Sequence, residues 1–368
     1  MGGFDIGTFH AAAVETPSHE RVTAMRELLV ETLTMHDCEP RIDEAGNLRV
    51  WRGAPEPTTH LALNTHMDTV PPHVPLERDG DLVRGRGACD AKGPLAAMVA
   101  AFLGCEPGPG RVSLLVTPDE ERLSTGAAHL VGHGETAEGA EPLAADGYIV
   151  GEPTGLAVCP AAKGRFEAVV ELAGVAAHAA DPTAGESAVL ALGPVLEAIA
   201  TFDERAGPGT HATLGGPTLA PTMVDGGGAT NQIPASSTLT LDRRSVPPET
   251  AEGFRTAMST HLREAVPAGV DVQVRLAERP TPFLEAFATP ETSPLVQTLQ
   301  AAAGTDLRAF PAATEASYFA ADAPTVVFGP GRLTDEDGAV AHATREYVRL
   351  SAVERAATVL EETLTALL

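Results

Sequence analysis

The chain has 368 residues, with 50 acidic side chains against 25 basic ones, for a formal net charge of −25. Only two of the cations are lysines, Lys92 and Lys163, and the other 23 are arginine. So acidic a chain, without a basic run, is a poor partner for nucleic-acid phosphates, and no stretch of about 18 apolar residues predicts a membrane span.

The opening segment Met1–His10 has neither a basic start nor a long apolar run, so no secretory leader is expected. Apolar residues at Val22, Met25, Leu28, Leu29 and Leu33 predict a helix within Ser18–Met35. Asn47–Arg52 reads as a strand before the turn Gly53–Pro57, and His60–Asn64 as an apolar strand running into Thr65-His66-Met67-Asp68. Pro94–Leu103 reads as a small-residue helix preceded by Asp90-Ala91-Lys92-Gly93. Arg111–Val116 and Tyr148–Val150 read as buried strands that end at Asp119-Glu120-Glu121 and Gly151-Glu152-Pro153.

The pattern then changes. Arg165–Leu172 alternates like a half-exposed strand, with a helix near Glu186–Ile199 after it. Thr238–Leu241, a helix over Ala251–Val266 and an alternating strand Val270–Leu276 complete a small α+β insert. From about Ser293 the α/β character returns with a helix Pro294–Ala303, a strand Thr325–Phe328 and a last helix Ser351–Leu367. The predicted fold is an α/β catalytic domain with a mixed central sheet, in two sequence pieces around an inserted α+β domain, which the family likeness given below makes a lid or dimerisation domain. The expected boundaries are 1–162 and 286–368 for the catalytic domain and 163–285 for the insert.

Three strand ends deliver His66 and Asp68, Glu120 and Glu121, and Glu152, with Asp90 just ahead of a helix. In open α/β sheets ligands bind outside the carboxyl ends of strands. Converging carboxylates raise one another's pKa, and divalent cations relieve this. Taken singly, His66 reads as a satisfied core histidine, Glu120-Glu121 as a helix start, Glu152 as a loop acid and Asp90 as a helix cap. All of these holding at the ends of consecutive strands is a far rarer coincidence than one metal centre.

The motifs have a family likeness. His66-Met67-Asp68-Thr69-Val70-Pro71, Gly85-Arg86-Gly87-Ala88-Cys89-Asp90-Ala91-Lys92-Gly93, Asp119-Glu120-Glu121 and Gly151-Glu152-Pro153 resemble successive signatures of the M20 metallopeptidases. Phe328-Gly329-Pro330-Gly331 and Ala341-His342-Ala343-Thr344-Arg345-Glu346-Tyr347 resemble the closing block. The resemblance implies two zinc ions, with cobalt as a substitute. His66, Asp90 and Glu152 would hold one, and Asp90, Glu121 and His342 the other, with Asp90 bridging. It makes Glu120 the general base and Asp68 the partner that orients His66.

In the insert, Lys163-Gly164 and Ala176-Ala177-His178-Ala179-Ala180-Asp181-Pro182 resemble the start of the family's lid, where the histidine serves the partner subunit's site. That implies a homodimer with His178 acting in trans. Asn231-Gln232-Ile233-Pro234 and Leu241-Asp242-Arg243-Arg244 resemble substrate-contacting segments, which assigns Asn231 and Arg244, rather than Arg243, to the substrate carboxylate. His178 and Arg244 alone would read as a solvated loop histidine and a surface strand arginine.

Thr314-Glu315-Ala316 stands where desuccinylases of the family carry Gly-Gly-Thr-Ser-Asp, closer to acetylornithine deacetylases and aminoacylases, and marks Thr314 as substrate-binding. The expected function is removal of an acyl group from a small N-acyl amino acid, in the acetylornithine deacetylase / succinyl-diaminopimelate desuccinylase branch. A carboxypeptidase or dipeptidase is the alternative, and a non-catalytic binder on the same fold is disfavoured by the complete ligand set. The cysteines Cys38, Cys89, Cys105 and Cys159 form no C-x-x-C pair and read as reduced cytoplasmic thiols. Cys89 beside Asp90 reads as a packing residue rather than a nucleophile. No phosphate-binding glycine motif occurs. The surplus acid and scarce lysine fit either a salt-adapted surface or GC-rich codon usage.

Overall fold

The computed structural model describes residues 3–134 and 140–368. The first piece supplies strands β1 (Arg41–Ile42), β2 (Leu48–Gly53), β3 (His60–His66), β4 (Arg111–Thr117), β5 (Gly147–Val150) and β6 (Val158–Ala162). The segment after Lys163 supplies β7 (Gly164–Ala173), β8 (Thr218–Gly226), β9 (Ser236–Ser245) and β10 (Asp271–Leu276). The last piece supplies β11 (Phe287–Ala288), β12 (Leu307–Phe310) and β13 (Thr325–Val327).

β1-β2-β4-β3-β5-β13-β6-β11 form one mixed sheet, with β12 also pairing to β6. Its centre is parallel: β4, β3, β5 and β13 run the same way, so their carboxyl ends open on one edge. β3 is buried at every residue, as expected of a strand covered on both faces. On one face lie α1 (Ile6–Glu15), α3 (Lys92–Gly104) and α10 (Leu350–Leu367). α3 is small-residue and buried nearly all round, because it is wedged between the sheet and α10. The opposite face is covered by α4 (Thr125–Leu130) and α9 (Ala316–Ala320), the Phe319 ring of α9 stacking on Tyr148.

β8-β9-β7-β10 form a second, antiparallel sheet. β7 and β9 alternate buried and half-exposed residues, as their sequences predict. The buried rows pack against α5 (Leu192–Ala200) and α7 (Ala251–Arg263) around Phe166, Phe202 and Phe254. Arg243 is also buried there, and its guanidinium donates to Glu249 at 2.8 Å and to Asp203 at 2.9 Å. This burial of Arg243 leaves its neighbour Arg244 on the opposite, accessible face of β9.

The elements read from sequence are present with shifted ends. The first predicted helix begins at Thr23 rather than Ser18, and that near Glu186 begins at Leu192. Periodicity gave no sign of α1, whose Asp5 side chain caps the helix by accepting from the Thr8 amide at 2.9 Å. Nor did it reveal β8, which is exposed along almost its whole length. Among the described residues no helix is long and apolar enough to cross a membrane.

Arg243→Ala strands the Glu249 carboxylate without its partner and should destabilise the fold by about 3–5 kcal/mol. Urea unfolding of the intact chain checks this, and a loss below about 1 kcal/mol would show that solvent reaches Glu249 instead.

Candidate metal centre

His66 ends β3, Glu120 and Glu121 follow β4, and Glu152 follows β5, so three adjacent parallel strands aim acidic or imidazole groups at one edge. Asp90 arrives from the loop before α3, and His342 from the loop before α10, with a left-handed φ of 64°. Donor atoms of His66, Glu120 and Glu152 lie within 4.8 Å of one another, as do those of His66, Asp90 and Glu121. His342 Nε2 sits 3.1 Å from Asp90 Oδ2 and 3.0 Å from Glu121 Oε1. All six residues therefore meet in one cluster.

The backbone around the cluster is held by carboxylates. Asp68 accepts hydrogen bonds from the amides of Glu120 at 3.1 Å and Glu121 at 3.2 Å. The Nδ1–H of His66 points at the carbonyl oxygen of Asp68, 3.0 Å away, with the Asp68 carboxylate at 3.3 Å. Asp119 accepts from the amides of Thr125 at 2.8 Å and Gly126 at 2.9 Å, fixing the start of α4 and the far side of the loop. Behind Asp90, buried Glu346 accepts from the amides of Cys89 and Asp90, each at 3.1 Å. Arg86 neutralises Glu346 at 2.7 Å, and its other Nη donates to the His342 carbonyl at 3.0 Å. One buried ion pair thus fixes the loops of Asp90 and His342 together. Gly331 is required beside it, because a Cβ there would lie 2.4 Å from the Cβ of Cys89.

The electrostatics show what the cluster lacks. Burial, then the charge of Glu152, pushes the Glu120 carboxyl well above its usual range. Burial, then the charge of Asp90, pushes Glu152 up to about 8. Burial also raises Glu121, against the hydrogen bond from His342. Hydrogen bonds to Asp90 and Glu121 raise His342 to about 10. Burial disfavours a charged His66, but the neighbouring carboxylates of Asp68 and Asp90 outweigh it and hold its pKa well above 6.5. Among the described residues no lysine or arginine pairs with Asp90, Glu120, Glu121 or Glu152. The buried Nε2 of His66 has no hydrogen-bond partner, although Asp90 lies 3.4 Å away. A dense set of hard oxygen and imidazole donors, with an orphaned nitrogen and no lysine or arginine among the described residues to pair it, fits divalent metal ions.

The remaining sequence-predicted residues are elsewhere. The Thr314 hydroxyl donates to Glu152 Oε1 at 2.8 Å, so it grips the cluster's own carboxylate. His178 and Asn231 are exposed on a small ribbon of the insert, where the Ala179 amide donates to the Asn231 carbonyl at 2.9 Å. Arg244 donates to Asp242 at 2.7 Å on the open face of β9. Among the described residues no hydrogen bond or ion pair joins these three to the cluster. Cys89 is buried, and burial pushes its thiol well above its ordinary range, so it is no nucleophile.

Sequence reasoning did not single out Glu315. It is fully buried, accepts from the Thr117 hydroxyl at 2.8 Å, and is raised to about 7 by burial. Thr314 and Glu315 together clip the ends of β5 and β4. The only sequence signal was the Thr-Glu pair itself, since no spacing links residue 315 to residue 117.

A cluster of this composition, at the carboxyl edge of a mixed sheet, is the kind of site that metallohydrolases use. The chain belongs to peptidase family M20/M25/M40, whose model matches residues 62–366. It is 33% identical over 251 residues to a Pyrobaculum aerophilum protein provisionally named a LysW-lysine/LysW-ornithine hydrolase, covering 68% of each chain. It is 32% identical over 316 residues to acetylornithine deacetylase of Myxococcus xanthus, covering 82% of this chain and 78% of that one. In three dimensions it is similar to a Bacillus subtilis protein described as a dinuclear metal-binding M20 peptidase. The TM-score is 0.72 at 13% identity, covering 98% of this chain and 97% of that one.

Thr314→Val removes the hydrogen bond that orients Glu152 while keeping the side chain's shape. Its divalent-metal affinity, measured by competition with a chromogenic chelator, should fall about 10–100-fold. Unchanged affinity would show that Glu152 is held without Thr314.

Proposed function

We propose that the protein is a di-zinc amidohydrolase that releases the acyl group of small N-acyl amino acids, of the acetylornithine deacetylase or succinyl-diaminopimelate desuccinylase type. The observation that carries this reading is Glu120, an extra half-buried carboxylate grouped with His66 and Glu152 beyond those needed as ligands. In this proposal His66, Asp90 and Glu152 hold one ion, and Asp90, Glu121 and His342 the other. The two ions supply positive charge that acidifies a water and stabilises an oxyanion, and cobalt can replace zinc.

The chain's own groups do the rest. Asp68 keeps the His66 proton on Nδ1, leaving Nε2 free as a donor, and fixes Glu120 through its amide. Glu120 takes a proton from the attacking water and later passes it to the leaving nitrogen. Water oxygen forms the new bond to the acyl carbon, the C–N bond breaks, and a carboxylate and an amine result.

The same reading treats residues 163–285 as a lid and dimerisation domain. Support comes from the unpaired edge of β8, where Met223 and Val224 are 69% and 64% exposed, and from nearby Leu190, 79% exposed. A second copy pairing there forms a homodimer that brings His178 to the partner's oxyanion, while Arg244 and Asn231 meet the substrate carboxylate. The free, buried cysteines agree with a cytoplasmic setting.

Glu120→Gln should lower kcat about 10²–10⁴-fold on acetylornithine or succinyl-diaminopimelate while metal content stays unchanged. Full activity in that variant would remove Glu120 from the mechanism. Mixing Glu120→Gln with His178→Ala protein should restore part of the rate, since a mixed dimer holds one intact composite site. Verified subunit exchange with no regained activity would place His178 outside the partner's site.

A further inference from the structure

Beside the metal cluster lies a second polar feature of opposite sign. A cavity of about 240 Å³ opens next to Pro153, the residue after Glu152. Its lining includes Arg308, Arg332 and Thr334, with Cys159 and Phe310 among its buried apolar surface, and it contains no acidic residue. Arg332 also borders a neighbouring cavity lined by Asp335 and Tyr347, where Asp335 is already paired with Arg345. Among the described residues neither guanidinium makes a hydrogen bond or ion pair with the protein. By contrast Arg243, Arg345 and Arg86 are all paired with carboxylates.

The backbone places both arginines deliberately. β12 and β6 lose register opposite Arg308: Leu307 faces Val158 but Ala309 faces Ala161. β6 carries the extra residue across Cys159-Pro160, where proline brings no N–H to the ladder. Such irregularities re-aim side chains beside functional sites. Arg332 is held by a bridge to Thr154 and by the Gly155 amide, which donates to the Gly331 carbonyl at 2.6 Å. Its side chain crosses Gly155, whose φ is +67°; a Cβ there would sit 3.2 Å from Arg332 Nε. A glycine therefore gives the guanidinium its path.

We propose that Arg308 and Arg332 form a binding site for the carboxylate of a small organic anion, with the apolar wall accepting a short methylene chain. Two guanidiniums match a carboxylate by charge, and either one offers it a planar bidentate fork. The anion can be the acyl end of the substrate, which rests on the deacylase reading above, or a free dicarboxylate, which does not.

Calorimetric titration of the full-length protein with succinate tests the site, using metal-loaded and chelator-stripped samples. The wild type should bind succinate in both states. Arg308→Gln and Arg332→Gln should each weaken binding about tenfold or more, and the lysine variants by less. Thermal melting of each variant verifies that it is folded. No heat at about 10 mM succinate, or folded glutamine variants that bind as well as wild type, would overturn the proposal. So would binding confined to the metal-loaded sample, which would put the anion on the metals.

Kinetics then separate the two sources. A fall in kcat/KM for N-succinyl but not N-acetyl amino acids in the glutamine variants assigns the site to the substrate's acyl carboxylate. Unchanged kinetics on both substrates, with succinate binding lost, assigns it to a free anion. A protein inactive on every N-acyl amino acid but still binding succinate through the two arginines would sink the deacylase reading and leave the site standing.

Discussion

Everything at the carboxyl edge of the central sheet depends on bringing several acids together with only imidazoles, and no lysine or arginine among the described residues, beside them. Asp90, Glu120, Glu121 and Glu152 converge on buried His66 and half-exposed His342, and like charges so close and so poorly solvated oppose that arrangement strongly. The sequence does not relieve the repulsion by placing lysine or arginine among them. Instead the fold makes the loops too rigid to part. Asp68 ties down two amides, Glu346 ties down two more, and Arg86 compensates Glu346 from behind. The charge deficit remains in the cluster itself, where divalent ions can answer it.

That division of labour explains why arginine and acid appear in two distinct arrangements. Arg86 with Glu346 and Arg243 with Glu249 are buried, fully paired and structural. Removing either partner of such a pair leaves a stranded charge, so both pairs specify one packing more than they add stability. The exposed guanidiniums of Arg308 and Arg332 are the contrasting case, carried on well-paired backbone yet without a partner among the described residues.

Much of this was legible in the chain. The apolar strands ending at His66, Thr117 and Val150 had a clear pattern, and the sheet's parallel centre gathers their ends as open α/β folds do. Helix starts were less legible: local propensity allowed helix from Ser18 and Glu186, while the chain stays in turns until Thr23 and Leu192. α1 was missed because its apolar face is made of alanine and glycine as much as large residues, a weak periodic signal. β8 was missed because an edge strand need not bury one face. The contacts that hold the cluster were invisible for a different reason. Arg86–Glu346, Thr314–Glu152 and Thr117–Glu315 join residues 162 to 260 positions apart, and no local pattern encodes such partners.

The way the chain leaves and rejoins the large sheet has a consequence for how such a protein diversifies. β6 and β11 pair directly, Ala162 opposite Phe287 and Ala161 opposite Ala288, so the whole stretch between them hangs from the tip of what is geometrically a hairpin. The register of that hairpin is set by its own ladder and by neighbouring β12 and β13, not by what its loop contains. Evolution can therefore lengthen, shorten or reshape the appended module while the catalytic edge keeps its geometry. Changes of length or shape in the appended module then leave the acidic edge of the central sheet in register.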